Sequence, residues 1–90
     1  MSAALRLLGR EDCGLCEEME AALRAHPDFA GVALEICDVD ADTEWQRRYG
    51  LRVPVLLDAW NHTVCATHFD AQAFADWVRE VRGRTAHAGL

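Results

Sequence analysis

Residues 3–16 read AALRLLGREDCGLC, and this stretch decides the fold. The apolar run at residues 3–8 predicts a β-strand. A polar loop follows it, and Cys13 and Cys16 stand where that loop ends. From Leu15 onward, apolar side chains recur at the spacing of an amphipathic helix. The sequence therefore predicts a Cys-x-x-Cys pair in the turn between a first strand and a first helix.

The rest of the chain continues this alternation of strands and helices. The first helix starts at Leu15 and is stopped by Pro27. The further predicted elements are a strand at 32–39, a helix capped by Asp42 or Thr43 and ended by Gly50, a strand at 53–57, a hairpin turn at 60–62 with Asn61 at positive φ, a strand at 63–69, and a helix capped by Asp70 and ended by Gly83. We expect residues 84–90 to form a flexible tail.

The predicted order is β-α-β-α-β-β-α, which favours an α/β fold of a single domain over residues 1–90. The β-α-β unit predicts a parallel strand pair, and the later hairpin adds antiparallel strands. A four-stranded mixed sheet with helices on both faces would cover every amphipathic segment.

Composition and charge exclude several classes of function. The chain has 90 residues, 51% of them hydrophobic, so it can build one core without a disulfide scaffold. Its formal charge of −6 disfavours nucleic acid and anionic membrane surfaces as partners. No apolar run reaches the roughly 20 residues of a membrane helix. Residues 1–9 lack the features of a signal peptide. We therefore expect a cytoplasmic protein, and a monomer.

The positions of the two close cysteines predict a role for each of them. Cys13 falls at a helix N-terminus, where free N–H groups and the helix dipole stabilise a thiolate. Cys16 lies one turn further, within bonding reach and more enclosed. Cys13 is thus predicted to attack a substrate disulfide, and Cys16 to resolve the mixed disulfide. This chemistry needs neither a metal nor a prosthetic group.

Three stretches of the chain resemble a known family. The pattern RxxCxxC at residues 10–16 and the Val-Pro pair at residues 53–54 resemble the thioredoxin superfamily. Because the chain starts directly with the first strand, it is similar to the short glutaredoxins. Residues 38–42 (DVDAD) and 49–56 (YGLRVPVL) look like those of small bacterial glutaredoxin-like proteins. The resemblance covers roughly residues 4–82.

This resemblance implies a thiol-disulfide oxidoreductase that reduces disulfides or mixed disulfides through a Cys13/Cys16 dithiol mechanism. Arg10 stands where glutaredoxins often have lysine, and its charge would favour the thiolate. Pro54 matches the cis-proline beside the disulfide, and a cis bond would expose the Val53 backbone to pair with an extended substrate. Arg10, Val53 and Pro54 are therefore expected to bind the substrate. The partner would be a disulfide-containing protein or glutathione, the latter as a co-substrate, with no bound cofactor.

The chain also departs from glutaredoxins near the motif. Gly14 stands where they usually have proline after the first cysteine. The Gly-Gly-x-Asp stretch that helps them hold glutathione is absent, and only Phe69-Asp70 remains near that point. Four carboxylates crowd the motif and oppose a thiolate, namely Glu11, Asp12, Glu17 and Glu18.

Two alternative functions stay open at this point. The first is a redox-inert module that uses the groove at Pro54 to bind a protein. The second is an iron–sulfur carrier, in which Cys13 and external glutathione hold a cluster between two subunits. Cys37 and Cys65 lie within predicted strands and are expected to be buried, inert thiols. A zinc site made from all four cysteines has an unfavourable spacing.

Overall fold

The computed structural model describes residues 3–88, and it describes the surroundings of side chains from residue 4 to residue 83. Within this part, the predicted order of strands and helices is confirmed. The elements are β1 (Ala3–Gly9), α1 (Gly14–Ala25), β2 (Val32–Asp38), α2 (Thr43–Tyr49), β3 (Val55–Asp58), β4 (Thr63–Ala66) and α3 (Ala71–Ala88). Short 3-10 turns at Pro27–Phe29 and Val39–Ala41 precede β2 and α2 respectively.

The strands form one mixed sheet with the order β2-β1-β3-β4. β1 pairs in parallel with β2, so that Leu5 lies level with Leu34. β1 pairs antiparallel with β3, where Leu7 opposes Leu56, and β3 and β4 form the predicted hairpin. Asn61 in the hairpin turn has φ 62°, as predicted. β2 is an edge strand, which leaves one of its sides unpaired in the described sheet.

Two hydrophobic clusters, one on each face of the sheet, confirm the predicted helices on both faces. Neighbouring residues of a strand point to opposite faces, so Leu7 and Leu8 belong to different clusters. The first cluster joins β1, β3 and β4 to α1 and α3, and includes Leu5, Leu7, Met19, Leu23, Leu56, Cys65, Phe74, Trp77, Val78 and Val81. The second joins the sheet to α2, and includes Leu8, Val39, Tyr49, Val55 and Leu57.

The predicted caps of the second and third helices are confirmed by their hydrogen bonds. The Asp42 carboxylate accepts the backbone N–H of Trp45 at 3.0 Å. In the same way the Asp70 carboxylate accepts the N–H of Ala73 at 3.0 Å. Each bond satisfies one of the N–H groups that a helix start leaves without a partner. Gly50 follows the last residue of α2, as the sequence predicts.

Three predicted element boundaries were wrong, and the first is the start of β3, which lies at Val55 rather than at residue 53. β4 ends at Ala66 rather than at residue 69, because the next residue, Thr67, turns to φ 69°. α3 does not end at Gly83 but continues to Ala88. A glycine inside a helix costs only about 1 kcal/mol relative to alanine, which neighbouring turns can tolerate. The tail predicted at 84–90 therefore overlaps α3, and its last two residues lie outside the described part of the chain.

No helix within residues 3–88 has both the length and the apolar character needed to cross a membrane.

Candidate redox site

The two cysteines of the motif are joined by a disulfide at the start of α1. Their Cα atoms lie 5.2 Å apart. Cys13 is the N-cap of the helix, with extended backbone at φ −106° and ψ 103°, and its Sγ accepts the backbone N–H of Cys16 at 3.1 Å. Its carbonyl accepts the N–H of Glu17 at 3.1 Å. The free end of the helix therefore faces the Cys13 sulfur, which favours a thiolate there once the disulfide is reduced.

The two sulfurs differ in their exposure. Cys13 is half-buried, whereas Cys16 is only 9% exposed and lies against the end of β1. A Cβ atom on Gly9 would lie only 3.0 Å from the Cys16 Sγ. Gly9 thus leaves room for the inner sulfur, a function that the sequence did not reveal. The predicted division into an outer and an inner cysteine agrees with this geometry.

Arg10 connects the loop before the disulfide to two distant parts of the chain. Its guanidinium donates to both carboxylate oxygens of Asp40, with Nε–Oδ2 at 2.8 Å and Nη2–Oδ1 at 3.1 Å. Its Nη1 donates to the Gly50 carbonyl. This hydrogen bond to Arg10 lowers the pKa of Asp40, and the Asp40 carboxylate raises the pKa of Arg10.

These contacts give Arg10 a structural role that the sequence did not predict. Asp40 balances its charge, and the guanidinium holds the loop between β1 and Cys13 against the end of α2. The contact with Arg10 also requires a glycine at position 50. A Cβ atom there would meet the Gln46 carbonyl oxygen and lie 3.1 Å from the Arg10 Nη2. A contact between Arg10 and substrate stays a prediction. The acidic run at residues 38–42 is the part of the sequence in which an ion-pair partner for Arg10 could have been sought.

The Val53–Pro54 peptide bond is cis, which agrees with the expectation from the resemblance. Pro54 is buried, and its carbonyl accepts the backbone N–H of Thr67 at 2.7 Å. The carbonyl of Arg52 accepts the Thr67 hydroxyl at 3.2 Å. Val53 lies between these two anchored residues, and its own N–H and C=O groups bond no other residue in the described part of the chain. Pairing of the Val53 backbone with an extended substrate stays a prediction.

The surroundings of Cys13 are negatively charged. The four carboxylates that the sequence places around the motif are all exposed: Glu11, Asp12, Glu17 and Glu18. Within residues 4–83 none of them has an ion-pair partner. Because Arg10 is already paired with Asp40, the local charge at the disulfide is not compensated by a free cation from this loop.

A groove of about 350 Å³ lies beside the inner cysteine, between α1 and the edge strand β2. Its apolar lining includes Leu7, Cys16 and Ile36, and Ile36 is 53% exposed. Glu17 and Glu20 contribute carboxylates to its lining. The inner sulfur is thus bordered by open space on the side of β2, although little of its own surface is exposed.

The other two cysteines are free thiols, and Cys37 also borders the groove beside Cys16. Cys65 is buried, as predicted, and burial raises the pKa of its thiol. The prediction was wrong for Cys37, which is only half-buried because it lies on the edge strand β2. Burial, followed by its hydrogen bond to Glu35, raises the pKa of Cys37 to about 11. Cys37 lies level with Leu8, and its side chain packs with the hydrophobic cluster on the α2 side of the sheet.

The four cysteines do not form a metal site. Among the residues that the structure describes, no group of three or more His, Cys, Asp or Glu side chains could hold a metal ion. The site can perform thiol chemistry, because it combines three features. The outer sulfur of Cys13 caps a helix, the inner sulfur of Cys16 is enclosed, and the backbone of Val53 has no hydrogen-bond partner.

Residues 4–79 match the family model described as Glutaredoxin-like domain (DUF836). The chain belongs to this family. No curated protein sequence matches this glutaredoxin-like domain. The match runs from β1 to the middle of α3, and therefore includes both cysteines of the motif and the cis-proline segment.

Two solved structures are similar to this glutaredoxin-like domain. The first is the solution structure of protein Ne2328 from Nitrosomonas europaea, with 32% sequence identity and a TM-score of 0.76, covering 86% of this chain and 92% of that one. The second is the X-ray structure of target protein XcR50 from X. campestris, with 34% identity and a TM-score of 0.65, covering 84% of this chain and 96% of that one. These likenesses confirm the thioredoxin-like fold.

Proposed function

We propose that this glutaredoxin-like domain is a thiol-disulfide oxidoreductase that reduces disulfides by a dithiol mechanism. The observation that carries the proposal is the geometry of the two sulfurs. The Cys13 Sγ caps α1 and accepts the Cys16 N–H, while Cys16 is bonded to it from a buried position. An outer sulfur with access to substrate and an inner sulfur within reach are the two groups that a dithiol cycle requires.

The catalytic cycle begins with both cysteines reduced. The Cys13 thiolate attacks one sulfur of the substrate disulfide, and the other substrate sulfur leaves as a thiolate that takes a proton from water. Cys16, after losing its proton, attacks the Cys13 Sγ and releases the second substrate thiol. The substrate has then gained two electrons, and the protein holds the Cys13–Cys16 disulfide. An external dithiol, or two monothiols in succession, returns the protein to its reduced state by the reverse exchange.

The substrate in this proposal is an extended protein segment that carries a disulfide or a mixed disulfide. The unpaired N–H and C=O of Val53 would bond its backbone, and Pro54 would lie beside its sulfur. Glutathione is the candidate co-substrate. Its net negative charge makes it a poorer fit to the acidic surroundings of Cys13 than a neutral thiol, because like charges raise the cost of close approach.

The first test is thiol trapping of the purified protein across a series of glutathione redox buffers. Intact mass and peptide mapping then report which cysteines are paired. We expect Cys13 and Cys16 to open and close reversibly at roughly −200 to −270 mV, the range of cytosolic thiol reductases. The variant Cys37→Ser is the matched control and should give the same curve. A pair that stays reduced throughout, or a Cys13 that only takes up glutathione, would contradict the dithiol mechanism.

A further inference from the structure

Thr67 has a backbone conformation that is unfavourable for its residue type. It follows the last residue of β4 and has φ 69°. In this left-handed region the branched Cβ of threonine crowds the backbone, whereas glycine adopts it freely. Such a conformation destabilises the folded chain and persists only when its surroundings hold the residue in place. The contacts of Thr67 indicate what it contributes in return.

Thr67 donates both of its hydrogen-bonding hydrogens to the segment that contains the cis-proline. Its backbone N–H bonds the Pro54 carbonyl at 2.7 Å, and its hydroxyl bonds the Arg52 carbonyl at 3.2 Å. The two acceptors are the carbonyls on either side of Val53. At the start of the same segment, the Arg52 N–H donates to the Tyr49 carbonyl at 2.8 Å. Val53 is thus left as an unpaired unit between two anchored neighbours.

We propose that Thr67 is a positioning residue that holds the 52–54 segment so that the Val53 backbone is ready to pair with an extended substrate. The inference rests on the proposed function, because substrate pairing at Val53 is part of it. Holding the segment in its bound conformation lowers the ordering cost of binding. The left-handed backbone aims the N–H at Pro54, and the hydroxyl supplies the second bond, which neither glycine nor valine could provide.

Three variants of the full chain separate these contributions. Thr67→Ser keeps the hydroxyl, Thr67→Val keeps the side-chain shape but loses the hydroxyl, and Thr67→Gly relieves the backbone strain and loses the hydroxyl. Each reduced protein is mixed with oxidised substrate in a single turnover, sampled by acid quench and mass spectrometry. One substrate is an extended eight-residue peptide that carries a mixed disulfide with 2-mercaptoethanol. The other is bis(2-hydroxyethyl) disulfide, which has no peptide backbone.

We expect the apparent KM for the peptide to rise about fivefold in Thr67→Val and Thr67→Gly, as the loss of one hydrogen bond implies. The limiting rate should stay unchanged, the small disulfide should react as with the wild type, and Thr67→Ser should keep the wild-type KM. Thr67→Gly should unfold at no lower temperature than the wild type. Weaker recognition without weaker stability would separate positioning from a merely structural role.

The failure of this inference differs from the failure of the proposed function. If the wild type reduces both substrates and all three variants keep its KM, Thr67 has no positioning role and the proposed function stands. If the wild type reduces neither substrate, the proposed function is wrong, and the amide order parameter of Val53 decides the role of Thr67. A lower value in Thr67→Val and Thr67→Gly, but not in Thr67→Ser, supports positioning. Equal values in all four proteins overturn it.

Discussion

The four cysteines of this chain fall into two pairs that differ in their surroundings, one at the start of a helix and the other within strands. Cys13 caps a helix, and Cys16 lies one turn further with its sulfur against Gly9. The other pair consists of Cys37 and Cys65, which sit on β2 and β4 without a disulfide. At Cys13 the polar end of a helix meets the sulfur, whereas at Cys65 the sheet and α3 surround it.

This difference shows that the position of a thiol in the fold, rather than its exposure alone, determines its chemistry. Cys37 is as accessible as Cys13 by the coarse measure of being half-buried. Its nearest polar partner is the Glu35 carboxylate, which opposes ionisation, whereas the partner of the Cys13 sulfur is a backbone N–H, which favours it. Partial exposure therefore does not by itself make a cysteine reactive.

The largest expected effect separates the two pairs by activity. Cys13→Ser removes the nucleophile, so disulfide reduction should fall to the uncatalysed rate. Cys37→Ser should keep the wild-type rate, because its thiol packs with the hydrophobic cluster on the α2 side of the sheet and forms no disulfide. The measurement is single-turnover reduction of bis(2-hydroxyethyl) disulfide. If both variants lost activity equally, the comparison between the pairs would fail.

The next effect concerns the pH dependence of alkylation. The pKa of Cys37 is raised from 9.0 to about 11, so the thiol stays protonated to a higher pH than usual. At pH 8 the reduced protein should alkylate Cys37 about a hundredfold more slowly than an unperturbed thiol, since only the thiolate reacts. The rate should keep rising up to about pH 11.

Iodoacetamide labelling with peptide mapping measures this rate for each cysteine. Glu35→Gln serves as the matched variant, because it removes the charge that opposes the Cys37 thiolate while leaving the burial in place. Its alkylation should be faster than in the wild type but slower than in a free peptide. A Cys37 that reacts like a peptide thiol in the unmodified protein would show that its surroundings do not protect it.

A third effect tests the space around the inner sulfur. Gly9→Ala would bring a methyl group within 3.0 Å of the Cys16 Sγ, so the oxidised protein should lose about 1–3 kcal/mol of unfolding free energy. Gly14→Ala is the control in the same motif, because a Cβ atom there meets nothing within 4 Å. It should leave stability unchanged or raise it by up to about 1 kcal/mol. Denaturant unfolding measures both, and equal losses would contradict the packing of Cys16 on Gly9.

The smallest effect compares the two remaining cysteines with each other. Cys65 belongs to the core, so Cys65→Ala should lower the unfolding free energy by about 1 kcal/mol through the loss of packed volume. Cys37→Ala, on the edge strand, should change it by less than about 0.5 kcal/mol. Denaturant unfolding again measures both. A larger loss from Cys37→Ala would show that the edge strand depends on this side chain.

Much of the fold and the centre of the site could be predicted from the sequence, because they depend on residues close together in the chain. The alternation of strands and helices follows from apolar periodicity. Asp42 and Asp70 cap their helices through residues three positions away. The Cys13 sulfur likewise bonds the N–H three residues on, so its place at the helix start was readable from the motif alone.

What could not be predicted involves residues that meet only in the folded chain. Arg10 and Asp40 are 30 residues apart, and no local rule pairs them rather than leaving Arg10 free for substrate. The exposure of Cys37 depends on β2 being an edge strand, which is a property of sheet order. The extension of α3 through Gly83 shows the converse, since a single local stop signal is too weak to end a long helix.

The sequence by itself therefore determined the element order, the helix caps and the position of Cys13 at the start of α1, because short-range spacing and hydrogen bonding decide them. Only the tertiary structure decided how the site is held. It placed Cys16 against Gly9, anchored the loop before Cys13 through Arg10, and set the left-handed Thr67 against the carbonyl of Arg52, 15 residues away. Such contacts depend on the packing of distant segments, in which one residue accepts an unfavourable conformation for the bonds it makes.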